Sequence, residues 1–97
     1  MVGYRFLPQA REELAAAVAF YEAESPGLGQ DLAREARRLC SRILESPSAG
    51  VEVRPGIRRR LLRRFPYAIL YGLHDGDLVI VAIAHQRRRP GYWLGRP

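Results

Sequence analysis

The chain has 97 residues, one cysteine and a net charge of +6, and all 16 of its basic residues are arginine. This length leaves room for one domain, and a lone cysteine, Cys40, excludes an internal disulfide framework and fits a reducing compartment. The longest apolar run, residues 78–84, is far shorter than the roughly 20 residues of a membrane-spanning helix, and no signal-peptide pattern opens the sequence. We therefore expect a single soluble cytoplasmic domain over residues 1–97.

The charge is segregated along the chain. Residues 1–50 contain 6 arginines and 7 acidic residues, a net charge of −1, whereas residues 51–97 contain 10 arginines and 3 acidic residues, a net charge of +7. A solubilising surface would explain the number of arginines but not their segregation. A one-sided basic field attracts phosphate groups or an acidic protein, and the guanidinium fork suits both.

The first half predicts a short strand over residues 2–6 and a helical hairpin over residues 8–25 and 27–46. Pro8 suits a first helical turn, and Ser25-Pro26-Gly27 separates the two helices. Apolar residues recur at helical spacing in both segments: Ala10, Leu14, Ala17, Val18 and Tyr21 in the first, and Leu28, Leu32, Ala36, Leu39, Cys40 and Ile43 in the second. On this stripe Cys40 is expected to be a core residue.

The second half predicts a loop and then three strands. Proline, glycine and serine make residues 46–56 a loop, and Asp75-Gly76 is a strong hairpin signal. Residues 57–84 are predicted to form a three-stranded antiparallel sheet, and residues 86–97 a basic aromatic tail. The strands are Ile57–Phe65, Tyr67–Leu73 and Leu78–Ala84. The fold class is therefore α+β, with the order β-α-α-β-β-β and the helical hairpin on one face of a mostly antiparallel sheet.

Two features of this sheet point to a partner. The last two strands are apolar on both faces, and the hairpin can cover only one, so the other face must be covered by the tail, be covered by a partner, or be left partly exposed. The first strand is expected to carry arginines on both faces. One face would hold Ile57, Leu61 and Phe65 with Arg59 and Arg63 between them, and the other Arg58, Arg60 and Arg64. Such a strand is predicted at an edge or a bulge, where the arginines either discourage aggregation or bind an acidic partner or RNA.

Residues 85–96 hold the groups that metal-free RNA cleavage would need. His85 could transfer protons, tail arginines could stabilise a charged phosphorane, and Tyr92 and Trp93 could stack on bases. A histidine at a strand end beneath a folded-back tail is the structural alternative. The spacing of His74, His85 and Cys40 gives no metal site, and no phosphate-binding glycine loop is present, so no cofactor or metal is expected.

Taken together, these patterns resemble the RelE/ParE superfamily of type II toxin–antitoxin toxins. The resemblance covers nearly the whole chain and depends on the order and spacing of several motifs: Tyr21-Glu22…Ser25-Pro26-Gly27-Leu28-Gly29, Ile57-Arg58-Arg59, Phe65-Pro66-Tyr67…Tyr71, and His85…Arg87-Arg88…Pro90…Tyr92-Trp93…Arg96. It implies a bacterial growth-arresting toxin, of the kind also labelled plasmid stabilisation protein, with a cognate acidic antitoxin that wraps it. Contact with operator DNA is expected only through the antitoxin.

The resemblance leaves the molecular target open. ParE-like members inhibit DNA gyrase, which is the preferred interpretation here. RelE-like members cut mRNA on the ribosome without a metal, and in that case His85, Arg64 and Tyr92 would be catalytic, so whether the chain is an enzyme is undecided. A remnant that binds an antitoxin without toxicity is a third alternative. The residues expected to bind a partner or nucleic acid are Arg58, Arg60, Arg64, Arg87, Arg88, Arg89, Trp93 and Arg96.

Overall fold

A computed structural model of the chain describes residues 3–96. Eight elements follow one another: β1 (Tyr4–Phe6), α1 (Pro8–Glu24), α2 (Leu28–Glu45), a short 3-10 turn (Pro47–Ala49), β2 (Val51–Arg54), β3 (Ile57–Leu61), β4 (Tyr67–His74) and β5 (Asp77–His85). The α+β class and the helical hairpin are as predicted, and the order is β-α-α-β-β-β-β. Residue 2 of the predicted first strand and residue 97 of the predicted tail lie outside the described residues.

The five strands form one sheet with the order β1-β5-β4-β3-β2. β1 runs parallel to β5, with Tyr4 opposite Leu78 and Phe6 opposite Ile80, and the other three pairings are antiparallel. Between residues 3 and 96, neither helix is long and apolar enough to cross a bilayer.

The predicted loop over residues 46–56 is wrong at its centre, because Val51–Arg54 forms β2 and the sheet has five strands rather than three. Val51 and Val53 alternate with polar residues between Gly50 and the turn at Pro55-Gly56, which is the pattern of a short strand in a hairpin. β2 accordingly pairs with β3.

The predicted strand over residues 57–65 is too long. β3 ends at Leu61, and the backbone then turns before β4. The turn places Phe65 in the core on the helix side, whereas Ile57 packs on the opposite side of the sheet, so the two do not share a face as expected. β3 is also an interior strand rather than an edge strand, and the expected bulge lies in its pairing with β2.

The helical hairpin closes one face of the sheet. The helices approach closely at Gly29, where a Cβ atom would lie 2.3 Å from the carbonyl oxygen of Val18. The Glu22 carboxylate accepts hydrogen bonds from the N–H groups of Gly27 and Gly29 at 2.8 and 3.0 Å, which fixes the turn. As expected, Cys40 is fully buried, and burial raises the pKa of its thiol to about 12. Core residues from both helices and the sheet include Ala10, Ala17, Leu32, Leu39, Ile43, Ile69, Tyr71, Leu78 and Ile80.

The tail folds back over the opposite face of the sheet. Trp93 is 8% exposed and joins a second core cluster that contains Leu70 and Val81, with Tyr92 packed against it. The expectation that the tail covers this face is therefore confirmed in part, because an apolar groove remains beside it.

Candidate partner-binding surfaces

The tail is fastened to the hairpin through one carboxylate, that of Glu13 on α1. Glu13 accepts a hydrogen bond from the Tyr92 hydroxyl at 2.7 Å and two from the Arg96 guanidinium at 2.9 and 3.0 Å. It also accepts one from the backbone N–H of Ile83 at 3.0 Å, and Arg96 donates to the carbonyl of Val81 at 3.0 Å. We call Glu13, Tyr92 and Arg96 the tail clasp.

The tail clasp changes the protonation equilibria of its members. Burial raises the pKa of Glu13, but the hydrogen bonds from Arg96, Tyr92 and Ile83 outweigh it and leave the pKa below its ordinary value. Burial, followed by the hydrogen bond to Glu13, raises the pKa of Tyr92 to about 12. The hydrogen bond to Glu13 raises the pKa of Arg96. The clasp is therefore an ionised carboxylate held by a neutral phenol and a guanidinium over most of the pH range.

Two of the three candidate catalytic residues line one basic cavity. His85 and Tyr92 share a cavity of about 340 Å³ with Arg59, Arg88 and Arg89. The His85 ring packs edge-on against Tyr67 with centroids 5.1 Å apart, and its Nδ1 accepts a hydrogen bond from the N–H of Arg87 at 3.0 Å.

The third candidate, Arg64, does not line this cavity. Its guanidinium lies 5.5 Å from the Phe65 ring centroid and 3.4 Å from a carboxylate oxygen of Asp31 on α2. Arg64 is therefore drawn towards the hairpin, whereas Tyr92 is drawn towards Glu13. The structure brings together His85 and Tyr92 but not all three.

The residues expected to bind a partner fall into exposed and engaged groups. The run Arg87 to Arg89 is exposed, as is Arg64, and Arg60 is half-buried. Arg58 donates to the carbonyl of Gly50 at 2.8 Å. Trp93 is buried and Arg96 belongs to the tail clasp, so these two hold the tail in place. A role of any of these residues in binding stays a prediction.

The groove beside the tail has a volume of about 510 Å³. Its apolar lining comes from the residue after β1, from β3, β4 and β5, and from the tail, and includes Leu7, Ile57, Leu73, Val79, Val81 and Leu94. Gly72 supplies no side chain at this part of β4, and a Cβ atom there would lie 2.7 Å from the carbonyl oxygen of Gly56. Arg5, His74 and Arg96 also line the groove, so its lining combines apolar side chains with two guanidinium groups.

Comparison with known proteins identifies the family. The family model described as ParE toxin of type II toxin–antitoxin system, parDE, matches residues 4–90. The chain belongs to the ParE toxin family. A comparison with curated protein sequences gives no significant match.

A solved structure of a chromosomal ParDE toxin–antitoxin system from P. aeruginosa has the same fold as this ParE family member. The TM-score is 0.76 at 17% sequence identity, and the match covers 88% of this chain and 96% of the other. At this identity the likeness concerns the fold alone. The assignment of the chain as a type II toxin rests on the match to the family model.

Sequence reasoning missed two carboxylates that organise the surface of this ParE family member. Neither Glu13 on α1 nor Glu35 on α2 is among the predicted site residues. Glu35 is 6% exposed and binds the turn after β3. The sequence does carry a signal for Glu35, because it lies next to Ala36 on the apolar side of the second helix. A carboxylate that is buried there requires a hydrogen-bond partner.

Proposed function

We propose that the chain arrests growth by inhibiting DNA gyrase and that a cognate acidic antitoxin neutralises it. The observation that carries the proposal is the match of residues 4–90 to the ParE toxin family. The state of Tyr92 supports it against catalysis, because the hydroxyl is bonded to Glu13 and has a pKa of about 12. A phenol held this way is a poor proton donor or acceptor near neutral pH.

The groove beside the tail suits an acidic and amphipathic antitoxin segment, because its lining combines apolar side chains with arginines. Apolar side chains from an amphipathic segment would fill the 510 Å³ groove, while flanking carboxylates would meet Arg5 on β1 and the basic residues of the C-terminal half. An exposed apolar depression with a charged margin is typical of a protein-binding site. Segments that fold on binding commonly wrap surfaces of this kind.

A ribosome-dependent ribonuclease is the second candidate. The cavity shared by His85, Tyr92 and three arginines favours it. It predicts that His85→Ala and Tyr92→Phe abolish toxicity while leaving the fold intact, and full toxicity of both variants would exclude it.

One pair of assays separates the two candidates. Purified toxin is added to DNA gyrase in a supercoiling assay and, separately, to translating ribosomes with a defined mRNA. We expect loss of supercoiling and intact mRNA, and relaxation by an unrelated topoisomerase serves as the control for a general effect on DNA. Cut mRNA with unaffected supercoiling would overturn the gyrase proposal in favour of the ribonuclease. Absence of growth arrest on induction without the antitoxin would overturn both in favour of a non-toxic antitoxin-binding remnant.

A further inference from the structure

Two arginine runs that are distant in the sequence lie together at one end of the sheet. One is in the turn between β3 and β4, residues 62–66, and the other is in the turn after β5, residues 86–90. We call this surface the basic end of the sheet, and its members are Arg63, Arg64, Arg87, Arg88 and Arg89, all of them exposed.

The two turns are neighbours because of the strand register. Tyr67, the first residue of β4, is paired with His85, the last residue of β5. Immediately beyond this pair, the N–H of Gln86 donates a hydrogen bond to the carbonyl of Pro66 at 2.8 Å. The backbones of the two turns are therefore in direct contact.

Both turns have a fixed backbone from which the arginine side chains project. The buried Glu35 carboxylate accepts hydrogen bonds from the N–H groups of Arg63 and Arg64 at 2.5 and 3.3 Å through one oxygen. In the other turn, the N–H of Arg87 donates to His85 at 3.0 Å. The points from which these arginine side chains project are therefore held in place by the backbone of the two turns.

Few acidic side chains lie close to the arginines of the basic end. The other exposed residues of the two turns are two prolines and a glutamine. The guanidinium of Arg64 is paired with Asp31, whereas the Glu35 carboxylate is bonded to backbone N–H groups. Carboxylates lie instead at the opposite end of the sheet, where Asp75 and Asp77 flank the β4–β5 turn. The two turns of the basic end therefore contain arginines and no acidic residue, whereas the connection between β4 and β5 contains Asp75, with Asp77 directly after it.

The chemistry of the basic end favours duplex nucleic acid over other anionic partners. Protein interfaces have apolar, aromatic centres, whereas protein–DNA interfaces are polar and positively charged. Single strands are bound by stacking bases on free aromatic rings. In the adjoining tail, however, the Tyr92 ring lies 3.8 Å from the Arg88 guanidinium and Trp93 is buried.

We infer that the basic end binds the phosphate backbone of double-stranded DNA without reading its sequence. Guanidinium groups pair bidentately with phosphate, and several on one rigid surface give sequence-independent binding by displacing counterions. This DNA binding goes beyond gyrase inhibition, and it requires neither gyrase nor the antitoxin.

The test is fluorescence anisotropy of a labelled 20-base-pair duplex with the full chain, at salt concentrations from 50 to 200 mM. Each phosphate contact contributes about −0.9 to the slope of log affinity against log salt. With four to five contacts we expect a slope of about −4 and a loss of affinity of roughly 250-fold over that range. We expect the variant Arg87→Gln/Arg89→Gln to reduce the slope by about 2.

The matched control removes the same charge elsewhere. Arg38→Gln/Arg42→Gln alters two exposed arginines on α2 and should leave the slope unchanged. Equal effects of the two double variants, no binding of the duplex at 50 mM salt, or tighter binding of a single-stranded RNA of equal length would each overturn the inference. If the first double variant does not fold by circular dichroism, Arg63→Gln alone should lower the slope by about 1, and an unchanged slope would likewise overturn the inference.

Measuring DNA supercoiling by gyrase with the same proteins distinguishes this inference from the proposed function. Gyrase inhibition without duplex binding would overturn the inference alone. Duplex binding without gyrase inhibition would overturn only the gyrase proposal.

Discussion

The two faces of the sheet are both apolar, but they are covered in different ways. The face under the hairpin is sealed by two helices, and residues such as Leu32 and Ile80 are completely buried there. The opposite face is covered by residues 86–96 of the tail, which form no helix or strand, and Leu94 in the tail and Leu73 beside it are more than half exposed. The first face is sealed from solvent, whereas the second is left partly exposed.

The largest expected effect lies on the sealed face. Leu32→Ala removes a fully buried side chain from α2 and leaves a cavity between the hairpin and the sheet. We expect the free energy of unfolding to fall by about 3 kcal/mol, measured by urea denaturation. A loss below about 1 kcal/mol would mean that the hairpin packs loosely and that the two faces differ less than described.

Trp93→Ala tests how much the tail contributes to the open face. Trp93 is the buried aromatic residue of the tail, but the tail is an irregular segment that can relax after the substitution. We expect a loss of about 2–3 kcal/mol in unfolding free energy, below the usual cost for a core tryptophan. Trp93→Phe is the matched control and should recover more than half of the loss. Equal losses from the two would show that the indole itself is required.

Glu13→Gln breaks the tail clasp while keeping the shape of the side chain. Glu13 and Arg96 side chains are 17% and 15% exposed, so the substitution leaves a mostly buried guanidinium without its counter-charge. We expect a loss of about 2 kcal/mol at neutral pH. The neighbouring and exposed Glu12→Gln should change stability by less than about 0.5 kcal/mol, and a similar loss in both variants would argue against the clasp.

The same carboxylate gives a pH dependence with a defined sign. Because the pKa of Glu13 is lower in the folded chain than its ordinary value, its contribution is present above about pH 4.5 and is lost as the pH falls through the folded pKa. The difference in stability between the original chain and Glu13→Gln should therefore shrink below about pH 4.5. Denaturation series at several pH values measure this, and a constant difference would contradict it.

The smallest effect is expected in the groove itself. Leu73 is 62% exposed and lines the groove, so Leu73→Ser should change the unfolding free energy by less than about 0.5 kcal/mol. If the groove binds the antitoxin, this variant should still be toxic but less well neutralised when toxin and antitoxin are expressed together. Unimpaired neutralisation would place the antitoxin elsewhere.

The elements that could be predicted from the sequence are those with a local signal. Helical spacing identified both helices, and Asp75-Gly76 identified the last hairpin. β2 was missed because the glycines and prolines around it outweighed the alternation of Val51 and Val53. The parallel pairing of β1 with β5 has no local signal, because it joins residues 74 positions apart.

The candidate site was predictable in composition but not in arrangement. The sequence identified the basic tail and His85, whereas the partners of the tail depend on tertiary contacts: Glu13 meets Tyr92 and Arg96 across 79 and 83 residues. The meeting of the two arginine runs depends in the same way on the register of Tyr67 with His85. Such links follow from packing and strand register, and neither is visible in residue spacing.

The parallel pairing of β1 with β5 also affects how the chain is made. Residues 4–6 find their strand partner only when residues 78–80 are available, so the sheet that covers the hairpin cannot be completed until most of the chain has left the ribosome. Long-range pairings of this kind slow folding and prolong the exposure of apolar surface. The basic end, which needs the end of β5, therefore forms among the last parts of the molecule, and a nascent chain does not yet carry the surface that we assign to DNA.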